Sequence, residues 1–69
     1  LLMKSYNSRE LLKILNENGW IETGISRGSH LYMHNPDKPE LGKVTIPHPR
    51  DNYPIKTLQS IEKQTGVKL

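Results

Sequence analysis

No cysteine occurs anywhere in this 69-residue chain, and that absence constrains the fold more than any motif does. Disulfides, thiolate metal sites, iron–sulfur clusters and cysteine nucleophiles are all excluded together. The fold must rest on one small apolar core, drawn from the 33% of residues that are hydrophobic. Such a core supplies no more than roughly 3–5 kcal/mol unaided. The length fits a single small domain. Met3-Lys4 reads as a natural start, so the domain is expected over residues 3–69, with Leu1 and Leu2 as added residues. No apolar run approaches the roughly 18 residues that a membrane span needs. Leu1-Leu2-Met3 is too short for a signal-peptide core. Together with the missing cysteines, this makes the cytoplasm the expected location.

Ten Lys/Arg stand against seven Asp/Glu, giving a net charge of +3 and a pI near 9.4. A positive balance on so short a chain points to an anionic partner, nucleic acid first. The cations are scattered singly, so there is no polybasic arm.

The periodicities predict five elements. A helix is expected over Ser8–Asn18, with Ser8 as N-cap, Glu10 in the first turn, and Leu11, Leu12 and Leu15 as the apolar stripe. A strand is expected over Trp20–Ile25, with Ile21, Thr23 and Ile25 on one face, and Trp20 as a core anchor. Ser26-Arg27-Gly28-Ser29 is a turn. The alternation His-Leu-Tyr-Met-His predicts a second strand over His30–His34, with Leu31 and Met33 facing one way and His30, Tyr32 and His34 the other. A proline-rich loop follows, then a third strand over Gly42–Pro47, where Lys43 and Thr45 share the face of His30 and Tyr32. A last helix is expected over Pro54–Thr65, with Ile55, Leu58 and Ile61 as its stripe and Gly66 as its stop. The order α-β-β-β-α suits an α+β fold: a three-stranded antiparallel sheet with two helices on one face. That layout resembles the double-stranded-RNA-binding domain.

His30 leads the residues that could carry chemistry. It follows Arg27-Gly28-Ser29, a tight turn whose backbone N–H groups and cation can hold a phosphate. An imidazole beside a phosphate can move protons near neutral pH. Together they are the minimum for cleaving RNA through its own 2′-hydroxyl. A surface histidine at a hairpin turn is the plainer explanation on spacing alone. His34 lies four residues on. On a strand that is about 13 Å, too far to share one metal with His30. His48, between Pro47 and Pro49, reads as structural. The acidic residues form no pair suited to a two-metal nuclease. There is no phosphate-binding loop, dinucleotide fingerprint or nucleophile elbow. Catalysis is therefore expected to need neither metal nor cofactor. Lys43, Lys56 and Lys13 are candidate phosphate contacts. Tyr32 is a candidate base-stacking ring or, equally, a half-buried strand aromatic.

Taken as a set, several segments carry a resemblance. They are Ser8-Arg9-Glu10-Leu11-Leu12-Lys13-Ile14-Leu15, Asn18-Gly19-Trp20, Arg27-Gly28-Ser29-His30, Val44-Thr45-Ile46-Pro47-His48-Pro49 and Pro54-Ile55-Lys56-Thr57-Leu58-Gln59-Ser60-Ile61. In this order and spacing the chain resembles the HicA toxin family of toxin–antitoxin modules. The resemblance implies a double-stranded-RNA-binding-like fold and an mRNA interferase that cleaves RNA independently of the ribosome. It maps the family's indispensable histidine onto His30. It also implies a HicB antitoxin that covers this residue, and arrested translation and growth as the outcome. A second histidine often follows Gly-Ser-His in the family; here Leu31 stands there, and it is expected to face the core. The expectation is thus an endoribonuclease toxin with His30 as general acid or base. Arg27, Gly28, Ser29 and Lys43 would contact phosphate, Lys56 or Lys13 would lie further out, and no cofactor or metal is needed. A non-catalytic RNA-binding module and a protein-binding adaptor are the alternatives. They predict, respectively, RNA retention without cleavage and no salt-dependent RNA binding.

Overall fold

A computed structural model describes residues 5–28 and 30–69; for residues 24–27 the description covers the backbone alone. The elements run α1 (Ser8–Glu17), β1 (Ile21–Arg27), β2 (His30–His34), a short 3₁₀ turn (Pro39–Leu41), β3 (Val44–Pro47) and α2 (Ile55–Thr65). The three strands form an antiparallel sheet in the order β1-β2-β3. The α-β-β-β-α order and the α+β class are as the sequence predicts.

The start of α1 departs from expectation. The N-cap is Asn7, not Ser8. The Asn7 side chain accepts from the Glu10 amide at 2.8 Å, and Glu10 accepts in return from the Asn7 amide at 3.2 Å. This reciprocal box satisfies two of the amides that a helix start leaves unpaired. Ser8 is thereby released for a tertiary role described below. At the other end of the fold, Gly66 is the stop of α2 at φ +74°, its amide donating to the Glu62 carbonyl at 2.7 Å.

The core lies between the helices and one face of the sheet. Leu11 and Leu15 of α1, Leu58 and Ile61 of α2, and Met33, Val44 and Ile46 of the sheet form one buried cluster with Tyr6, Trp20, Tyr53 and Val67. Leu31 is buried too, as the alternation of β2 requires. Trp20 has no solvent exposure. It sits just ahead of β1 rather than in it, its amide donating to the Leu15 carbonyl at 2.9 Å. Ile55 departs from the expected α2 stripe: it is 59% exposed. It occupies the first position of the helix, beyond the reach of the cluster.

The pairing of β1 is interrupted midway. Glu22 pairs with Met33 and Ser26 with Leu31, so residues 23–25 stand opposite Tyr32 alone. This bulge bends the strand; the Ile25 side chain, part of the expected Ile21-Thr23-Ile25 face, lies outside the described residues. Ile21 is 43% exposed. The expected boundaries of Trp20–Ile25 become Ile21–Arg27, and the expected four-residue turn shrinks, since Arg27 pairs with His30.

Candidate functional site

Pairing across β2 and β3 sets the open face of the sheet. Tyr32 lies opposite Thr45 and His30 opposite Pro47, and directly opposed residues share a face. Lys43 Nζ sits 4.4 Å from the centre of the Tyr32 ring, within cation–π range. The sequence expectation that Lys43, Thr45, His30 and Tyr32 share a face therefore holds. One side of the Tyr32 ring is already occupied by a cation, so the pair presents itself as a unit.

His30 is exposed and opens onto a shallow groove of about 350 Å³ between the β3 edge and α2. His30, Thr45 and Pro47 form one wall, and Lys56, Thr57, Ser60, Ile61 and Gln64 the other. Gln64 Nε2 donates to Ser60 Oγ at 3.0 Å, which leaves its carbonyl oxygen free to accept. The groove therefore combines an imidazole, a lysine ammonium, hydroxyls, an amide and an apolar floor. Beside it, Gly28 turns the chain at φ +58°, with open space where a side chain would stand. Backbone in that conformation leaves room for an anion to approach.

Lys56 is brought to His30 by the packing of α2. Lys13 is not: it lines a separate groove with Glu10, Ile14 and Glu17, where two carboxylates outnumber it. The Arg27 side chain and the whole of Ser29, both expected phosphate contacts, lie outside the described residues. Thr57, Ser60 and Gln64 were not foreseen as site residues. A signal was present: Lys56, Ser60 and Gln64 recur at i, i+4 and i+8, a polar stripe on one helix face.

His34 and His48 are half-buried, and the Nδ1 atom of each is buried without a hydrogen-bond partner. The strand conformation of His30–His34 puts its two histidines at opposite ends. Among the described residues, no group of three His, Cys, Asp or Glu is placed to hold a metal ion.

The segment between β3 and α2 is held by a compact knot. The Ser8 amide donates to the Arg50 carbonyl at 2.8 Å, and Ser8 Oγ accepts from the Arg50 amide, 42 residues away in sequence. The Tyr53 hydroxyl lies 3.1 Å from Ser8 Oγ and donates to the Pro47 carbonyl. Ser8→Ala would leave the Arg50 amide and the Tyr53 hydroxyl short of a partner. The expected loss is about 1–2 kcal/mol of stability, read as a lower midpoint in chemical denaturation with an unchanged slope.

A small α+β domain with an exposed histidine, a lysine and a set of neutral donors along one shallow groove is equipped to engage an extended anionic chain rather than an enclosed small molecule. Residues 8–67 match the family model described as the HicA toxin of bacterial toxin–antitoxin systems, and the chain belongs to this family. It is accordingly the toxin member of such a pair, and its partner is an antitoxin. No curated protein and no solved structure matches it. Among the described residues, no helix is long and apolar enough to cross a membrane.

Proposed function

We propose that this toxin is an endoribonuclease that cleaves mRNA with His30 as its catalytic residue. The observation that carries the reading is the exposed His30 imidazole in one groove with Lys56, Thr45 and Gln64, in a chain of the HicA family. His30 takes the proton of a 2′-hydroxyl, and the freed oxygen attacks the adjacent phosphorus. The bond to the 5′-oxygen breaks, and that oxygen takes a proton from solvent, to which the groove is open. Lys56 and the backbone at Gly28 balance the charge gathering on the phosphoryl oxygens. Lys43, seated on Tyr32, offers a further phosphate contact on the sheet face. Metal is not needed for this route.

The antitoxin, of the HicB type, acts by covering His30 and competing for the basic surface. Acidic side chains facing Lys43 and Lys56 would speed that encounter. A standard interface takes roughly 800 Å² from each partner. This protein exposes 4942 Å² in all, so such a contact takes about a sixth of its surface. Free of the antitoxin, the enzyme arrests translation and growth in the cytoplasm.

The test is incubation of the purified chain with a long single-stranded RNA in excess EDTA. Cleavage is expected, with growth arrest on expression in cells that lack the antitoxin. RNA retained but left intact would replace this reading with a non-catalytic binding module.

A further inference from the structure

The groove at His30 does not end where the chemistry does. A second groove of about 270 Å³ adjoins it, sharing Pro47 and Thr57 and adding Arg50, Asn52 and Tyr53. A third, of about 350 Å³, shares Arg50 with the second and runs on past His48 to Arg9 at the start of α1. Through these shared residues each groove borders the next, and the three in series make up the trough. Lys56, Arg50 and Arg9 are spaced along it, all exposed, and among the described residues Asp51 is the only carboxylate on its walls. The separate groove on α1 carries two carboxylates and one lysine, so an anionic chain has no comparable path there.

We propose that this trough is a track for single-stranded RNA, holding several nucleotides on one side of the bond presented to His30. The inference rests on the RNA reading given above and adds to it: the substrate is an extended strand, and its binding is shared by residues remote from the cleavage point. Three cations with neutral donors between them suit a backbone bearing one charge per nucleotide. The knot of Ser8, Arg50 and Tyr53 fixes the backbone of the middle cation, so the track is formed before RNA arrives and little ordering is lost on binding. Arg9 and Arg50 are therefore binding and positioning residues, not catalytic ones.

The experiment measures binding of fluorescent single-stranded RNA of roughly twelve nucleotides to the His30→Ala protein, which is set not to cut it, across a range of salt. Arg9→Gln combined with Arg50→Gln should weaken binding at least tenfold. It should also make the dependence of log affinity on log salt shallower by about 1.4, the loss of two phosphate contacts to a single strand. Lys63→Gln with Lys68→Gln removes the same charge away from the trough and should leave the slope unchanged. On the wild-type background, the Arg9/Arg50 variant should raise KM for long RNA and narrow its advantage over a dinucleotide. An unchanged slope and affinity in the Arg9/Arg50 variant overturns the track, even where His30 still proves essential for cleavage. The expected slope change in a chain that never cuts RNA upholds the track and overturns the nuclease reading alone. Unaltered RNA binding with loss of antitoxin binding assigns the surface to the protein partner and likewise overturns the track.

Discussion

His30→Ala is expected to lower the rate of RNA cleavage by at least about 100-fold, the lower end of what a positioned proton-transfer group contributes, and to abolish toxicity on expression. Two features make the substitution clean. His30 is exposed at the head of β2 and its imidazole makes no hydrogen bond in the described structure, so its loss should change stability by no more than about 0.5 kcal/mol. It is also the one imidazole on its groove, since His48 lines the far end of the trough and His34 lines none of the three grooves. No neighbouring histidine stands in. Cleavage is measured in EDTA at matched circular dichroism and matched melting. A variant that cuts at the wild-type rate removes His30 from the mechanism. A variant that still binds RNA but leaves it whole separates the chemical role from the binding role.

The second large effect belongs to the core. Trp20→Ala is expected to leave no cooperative thermal transition at 25 °C and above. The indole is wholly buried and belongs to the cluster that joins both helices to the sheet. Truncating a buried aromatic to alanine costs about 3–5 kcal/mol. That matches the roughly 3–5 kcal/mol a domain of this size holds in total, so the variant is left at or past the edge of folding. Trp20→Phe should behave differently. The indole N–H has no hydrogen-bond partner among the described residues, so phenylalanine forfeits volume but no polar contact with them, and a cooperative melt at reduced midpoint should remain. Loss of cooperativity in Trp20→Phe as well would mean that the indole nitrogen matters to the fold.

Much of the fold is legible from local chemistry. The strand His30–His34 and its facing pattern follow from alternation alone, and with them the company of His30, Tyr32, Lys43 and Thr45. The end of α2 follows from Gly66. What escapes the sequence is decided by contacts between distant segments. Asn7 and Ser8 are both good caps, and only the distant Arg50 and Tyr53 decide that Ser8 serves the loop while Asn7 serves the helix. The bulge in β1 has one local marker, Gly24 inside the strand, which alternation alone passes over. Ile55 obeys the helical spacing of the stripe yet lies too near the helix start to reach the core. At the site, His30 is legible by motif and by its place after a glycine turn. Its groove is not, because Lys56, Ser60 and Gln64 come from a helix whose angle against β3 is a matter of packing. The linkage through Arg50 to Arg9 depends on the same knot and has no local sequence signature.

The bulge of β1 has a bearing on how this protein keeps company with itself. β1 is an edge of the sheet, and an open edge is a ready template on which a second copy can extend the ladder. A strand that departs from the pleat midway, with residues 23–25 spread against a single partner residue, cannot lie flat along an identical neighbour, and Glu22 adds a charge to the approach. Edge-to-edge pairing along β1 is thereby disfavoured within the strand itself. The kinked edge favours colloidal stability without covering the groove at His30.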